Sequence, residues 1–244
     1  MSTPFWAAMA TTCSMAVRAR IPCLGVPATI IFASPFLVGE VSGLAETVDG
    51  GADIDALDFQ SENAGGAANI TSLVLTSVET LMLGGTELKL RAGQLGSFTT
   101  IHGTGFVERV ILASSGTADL SGASIVSIEE FRGSGGADKL VFDGVAGGFF
   151  VDGLAGADSL SGNDGNDTIS GEQGADNIDA GPGNDVIQIA GISDVSGLAE
   201  TIDGGNDADT LDFLTLGATG RADLSLVTIL NVENLQTYVP HPGR

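Results

Sequence analysis

Four nine-residue segments follow one another without a break: GLAGADSLS (153–161), GNDGNDTIS (162–170), GEQGADNID (171–179) and AGPGNDVIQ (180–188). Each has glycine at position four, aspartate at position six and a large aliphatic at position eight, namely Leu160, Ile169, Ile178 and Ile187. Three of the four also begin with glycine. A nine-residue unit cannot bury an apolar face alone, so copies have to stack and share one continuous core. GSGGADKLV (133–141) obeys the same rule. GGADIDALD (50–58) and GGNDADTLD (204–212) obey it more loosely, with Asp53 and Asp207 where the fourth-position glycine should stand. GVAGGFFVD (144–152) keeps its glycines but has Phe149 at position six.

Longer repeats surround this run. VSGLAETVDGGADIDALDF (41–59) matches VSGLAETIDGGNDADTLDF (195–213) at 15 of 19 positions, an offset of 154 residues. The same offset gives 21 identities over the 42 positions from 41 to 82. Residues 41–194 therefore read as one whole unit and 195–244 as the opening of another, as in a piece of a longer tandem array. A fourteen-residue module also recurs, as ANITSLVLTSVETL (68–81), ADLSGASIVSIEEF (118–131) and ADLSLVTILNVENL (222–235). It is rich in β-branched residues and lacks a 3.6-residue period, which predicts short strands or solenoid rungs. Its recurring glutamate (Glu79, Glu129, Glu233) is either a cation ligand or a solvated or capping side chain. The modular match favours continuation of the solenoid through 60–117 over a separate sandwich.

Charge says what must complete such a fold. Asp and Glu total 31 against 9 Lys and Arg, a formal charge of −22. A compact chain so charged repels itself. Nucleic acid is a poor partner, since phosphate binding needs a basic patch. A cation is the natural one. Gly, at 36 residues, and charge together suggest disorder, but the regularly spaced Leu, Ile and Val argue for a core.

The local chemistry agrees. Glycines at positions one, two and four permit positive φ and tight curvature. Their turn can point backbone carbonyls at a cation, and the position-six aspartate adds a carboxylate. Calcium is a hard cation taking six to eight oxygens, and this donor set suits it. Two nonapeptides make one flattened circuit, which stacks Asp158 on Asp176 and Asp167 on Asp185. At a rung spacing of about 4.8 Å the carboxylates repel, and an intervening Ca²⁺ reverses the sign. Turn formation alone is the competing role for these aspartates, but it does not demand Asp at one position in every copy.

The pattern resembles G-G-x-G-x-D-x-U-x, the nonapeptide of the RTX, or hemolysin-type, calcium-binding family. The resemblance covers about 133–188 well, flanking copies weakly and 1–40 not at all. It implies an all-β fold, a right-handed parallel β-roll with calcium in its turns. It also implies ligands from the position-six aspartates Asp138, Asp158, Asp167, Asp176 and Asp185, with carbonyls from turns built on Gly153, Gly156, Gly162, Gly165, Gly171, Gly174 and Gly183. Asp164, at position three, is an extra ligand or a turn former. Phe149 and Ala180 depart from the pattern and weaken any site beside them. RTX-like proteins are typically secreted by a type I system reading a C-terminal signal; the tail TYVPHPGR shows none obvious.

The chain thus divides into 1–38, 39–132, 133–190 and 191–244. Residues 1–38 hold both cysteines, Cys13 and Cys23, the only Trp and no acid. They read as a secretory leader, a misassigned start or a tail; their prolines argue against a spanning helix. Neither HExxH nor GxSxG occurs, so zincin and hydrolase chemistry lack their usual motifs. His102 reads as a loop or rung residue, and Phe59, Phe131, Phe142 and Phe213 as core. Two functions remain. The first is a secreted structural or adhesin-like repeat protein that folds on calcium, with a cell-surface or matrix ligand. The second is the calcium-dependent C-terminal region of a secreted hydrolase whose catalytic domain lies elsewhere.

Overall fold

The structure, a computed structural model, describes residues 29–31, 47–52, 54–60, 66–195, 199–214 and 222–237. Strands of three or four residues follow each other at short intervals, and every strand pairing is parallel. A three-residue strand presents only its middle side chain to one face. Here that residue is the aliphatic, as in Ser159–Ser161, where Leu160 is fully buried between half-exposed serines. One buried residue per strand cannot support a sandwich, but coils stacked in register align these residues into a continuous column. The result is a β-solenoid of about 8 turns, with almost no helix, consistent with the β-roll that the nonapeptides predict.

Four sheets run along it, of nine, six, five and two strands. In the nonapeptide region the chain alternates between the nine- and six-stranded sheets. Thr168–Ser170 lies on Val186–Ile189 in one and Ser159–Ser161 on Asn177–Asp179 in the other, 18 residues apart in both. Upstream, coils are longer and visit the five-stranded sheet as well, whose last members are Thr100–His102 and Ser124–Val126. Residues 66–132 belong to the same stack as the roll, since Glu130–Arg132 pairs with Arg109–Leu112 below and Phe150–Asp152 above. The four-residue helix Ala92–Leu95 stands in for a strand where two coils meet; its buried Gln94 donates to the carbonyls of Ile70 and Leu73.

The core is one apolar column. Phe59, Phe131, Phe142 and Phe213 are buried in it. Phe149 turns inward too. It packs against Phe131 and Phe142 with ring centroids 5.4 Å away from each, which explains a large apolar side chain at an acidic position. His102 is exposed at the end of its strand. Cys13, Cys23, His241, Asp53 and the tail after Thr237 lie outside the described residues. Of the block 1–38, only Thr29–Ile31 is described, as a strand pairing with Ala56–Asp58.

The 154-residue duplication has two structural outcomes. Ala56–Asp58 sits in the five-stranded sheet, whereas its counterpart within Thr210–Phe213 sits in the nine-stranded one. Leu81 is completely buried beneath the next coil, whereas its counterpart Leu235 is 68% exposed, in the last described strand.

Candidate metal centre

Acidic side chains stand directly before the strands, at the two edges where the chain turns. Before the six-stranded sheet they are Asp138, Asp158, Asp176 and Glu200; before the nine-stranded sheet, Glu108, Glu129, Asp167, Asp185, Asp209 and Glu233, with Phe149 as the interruption. The parallel register stacks them. In the first row Asp158 Oδ1 accepts the Asp138 N–H at 2.7 Å, and Asp176 Oδ1 accepts that of Asp158 at 2.8 Å. In the second, Asp185 Oδ1 accepts the Asp167 N–H at 2.7 Å, and Asp209 Oδ1 that of Asp185 at 2.8 Å. Asp167 Oδ1 accepts the Phe149 N–H at 2.8 Å, so the backbone register survives the phenylalanine. Each carboxylate thus caps an amide one coil below with one oxygen. Stacked aspartates meet a backbone N–H, rather than facing each other bare as the sequence suggested.

The second oxygen carries the chemistry. Asp158, Asp185 and Asp209 are almost completely buried, and Oδ2 of each has no hydrogen-bond partner. A buried polar atom without a partner costs about 1–3 kcal/mol, more when charged, so it points to an absent ligand. Carbonyl oxygens crowd the same places. A Cβ on Gly153 would lie 2.6 Å from Asp158 Oδ2 and 3.0 Å from the Gly171 carbonyl oxygen. On Gly133 it would lie 3.0 Å from Asp138 Oδ2 and 2.5 Å from the Gly153 oxygen. Gly162 is bounded in the same way by Asp167 and Ala180 O, and Gly171 by Asp176. At Gly133, Gly153 and Gly162 acid and carbonyl converge where a side chain would be, whereas Ala180 holds position one before Asp185. A buried carboxylate oxygen beside a carbonyl from the next coil fits the oxygen preference of calcium.

This corrects the expected role of the glycines. In the four consecutive copies positive φ is not at position one. It is at position four in Gly156 and Gly183, and at position two in Leu154 (φ 71°), Glu172 (φ 62°) and Gly181. Gly162, Gly165, Gly171 and Gly174 adopt negative or extended φ and are needed for space: a Cβ on Gly165 or Gly174 would strike the carbonyl of Gly147 or Gly156.

Electrostatics match the geometry. Burial, reinforced by the Asp176 and Asp138 charges, pushes Asp158 up to about 7. Burial and the Asp167 and Asp209 charges push Asp185 up to about 7. Burial, with Asp194 nearby, pushes Asp176 up to about 6. Glu200 reaches about 8 through burial and the charges of Asp176 and Asp194. A cation would hold these groups ionised.

Asp138, Asp158 and Asp176 share one edge, and Asp167 and Asp185 the other. Asp164 is exposed and lines a surface groove with Asp143, Asp179 and Asn206, beside the turn residues Gly162 and Gly181. The recurring glutamates act as caps: Glu79 Oε2 accepts the Asp55 N–H at 3.0 Å, Glu129 Oε2 that of Glu108 at 2.8 Å, and Glu233 Oε2 that of Asp209 at 2.9 Å. The nonapeptide rule left out Glu108 and Glu200 as ladder members and reached Asp209 only through the looser copy 204–212. The shorter signal acid-x-aliphatic finds all of them: Glu108-Arg109-Val110, Glu200-Thr201-Ile202 and Asp209-Thr210-Leu211.

Among the described residues, no helix is long and apolar enough to cross a membrane. No curated protein and no solved structure matches the chain. With its coils in register and its acids stacked at both edges, the segment 152–187 matches the family model of the RTX calcium-binding nonapeptide repeat, in four copies.

Proposed function

We propose that this chain is a calcium-binding β-roll segment of a secreted structural or adhesin-like repeat protein, that it folds when calcium binds, and that it is not an enzyme by itself. The observation that carries the calcium reading is the set of buried, unpartnered oxygens on Asp158, Asp185 and Asp209, which at Asp158 and Asp209 lie where a Cβ on Gly153 or Gly204 would intrude. The family match over 152–187 supports it independently. The ligands are Asp138, Asp158, Asp167, Asp176 and Asp185 with the turn carbonyls of the adjacent coils. Asp164 stands outside the set. The 154-residue duplication supports the structural role, because stacked units extend one rod.

The same chemistry supports a secreted role. The −22 charge keeps the metal-free chain expanded where calcium is scarce, and extracellular calcium closes it. Extracellular modules bind at about 10⁻⁴–10⁻³ M. A tenfold excess over Kd adds roughly 1.4 kcal/mol per site, and a few sites together rival the stability of a small domain.

Far-UV circular dichroism of the full chain, titrated with calcium and then magnesium, tests this. A coil-to-β transition near millimolar calcium that magnesium does not reproduce is the expected result. A chain already folded in chelator and indifferent to calcium would leave the aspartates as turn formers only.

A further inference from the structure

Outside the matched segment, the turn 103–108 reproduces the nonapeptide edge in detail. Its sequence GTGFVERVI (103–111) has glycine at one, an acid at six and an aliphatic at eight. Glu108 Oε1 accepts the N–H of Thr104, at position two, at 2.9 Å, together with that of Gly85 at 2.8 Å. In the roll, Asp167 Oδ2 accepts the N–H of Asn163, also at position two, at 2.8 Å. A Cβ on Gly103 would strike the Ser127 carbonyl oxygen and lie 3.1 Å from Glu108 Cδ. Glycine, carbonyl from the next coil and acid meet as they do at Gly162, Ala180 and Asp167.

Glu108 is completely buried, and its Oε2 has no hydrogen-bond partner. The acid above it in the row is Glu129, held by the bond from the Glu108 N–H. The adjacent Arg109 guanidinium is engaged elsewhere, reaching Glu87 at 3.1 Å and Glu130 at 2.5 Å. The two carboxyl groups are therefore stacked in contact, and the buried Glu108 Oε2 meets no N–H or O–H donor of the protein.

We infer that Glu108 and Glu129, with the Ser127 carbonyl oxygen, form a divalent-cation site of calcium type in the N-terminal coils, outside the nonapeptide run. It goes beyond the roll's own sites and stands on separate residues.

Terbium, a luminescent calcium substitute, reads it locally. Phe106 lies in the same turn and is 55% exposed, so F106W places a sensitising indole beside the site. In the full chain, F106W is expected to add terbium luminescence over wild type. Calcium should displace that increment and magnesium should not. E129Q in the F106W background should raise its terbium midpoint tenfold or more, with the β signal kept because the amide oxygen still caps Glu108. D167N/D185N, which removes ligands of the roll, should leave the F106W increment unchanged even if the roll's calcium response fails. An absent increment, an increment that calcium does not displace, or an E129Q midpoint equal to that of F106W alone would overturn the proposal.

Discussion

Asp167 has two separable roles, since both of its oxygens accept backbone N–H groups, from Phe149 and Asn163. Hydrogen bonds to a charged group are worth about 1.5–3 kcal/mol each. Asp167→Ala should therefore cost about 3–5 kcal/mol in calcium and raise the calcium midpoint. Asp167→Asn keeps an acceptor and should cost less in stability while still raising the midpoint. Urea unfolding at fixed calcium beside a calcium titration separates the two, and equal calcium midpoints in Asp167→Asn and wild type would remove Asp167 from the ligand set. Glu172 is the converse case. It holds φ 62° at position two, where the family pattern has glycine, and a left-handed residue with a Cβ costs about 1–2 kcal/mol. Part of that returns as the greater chain entropy of glycine, so Glu172→Gly should gain about 0.5–1 kcal/mol in urea.

Elements here are minimal, and each three-residue strand of the roll rests on one inward aliphatic side chain. Ile169 sits between Val151 and Ile187 in the nine-stranded sheet. Ile169→Ala should cost about 2–5 kcal/mol, measurable as a lower urea midpoint in calcium. Phe149→Asp restores the consensus acid but empties the aromatic trio with Phe131 and Phe142. It should destabilise by about 3–5 kcal/mol, whatever its calcium response.

At this scale the sequence is also most readable. The spacing of Leu160, Ile169, Ile178 and Ile187 places four strands, their inward residues and the 18-residue register, because one turn and one strand repeat without variation. The acids of the roll are legible for the same reason. Glu108 and Glu200 are less so, because Phe106 stands where 103–111 should have its fourth-position glycine, and Val195 and Leu198 replace both glycines of 195–203. The positive φ of Leu154 and Glu172 is equally hidden, since neither residue type signals it. The cross-section is not local either. Ala56–Asp58 and Thr210–Phe213, near-copies in sequence, join different sheets, so a coil takes its outline from the coil beneath it.

Taken whole, the roll is a stack of acids that resist ionisation when folded without metal. Asp158 and Asp185, at about 7, and Asp176, at about 6, stand above the ordinary aspartate value of about 3.9. Between about pH 4 and 7 the folded metal-free chain keeps protons that the unfolded chain has lost, so its stability falls as pH rises through that window. In chelator, β signal absent at pH 7.5 should partly return at about pH 5. With millimolar calcium the order reverses, because the ion needs ionised ligands. A metal-free signal that strengthens with rising pH would contradict this assignment.

The stacking that seals Leu81 beneath its neighbour also has a meaning for growth. A stack of this kind behaves as a one-dimensional crystal. Its interior gains a constant amount per layer, while the penalty for unsatisfied surface is fixed at two ends whatever the length. Adding layers dilutes that penalty, so a longer rod is more stable per residue than a shorter one of the same composition, and lengthening by duplication requires no new interior design.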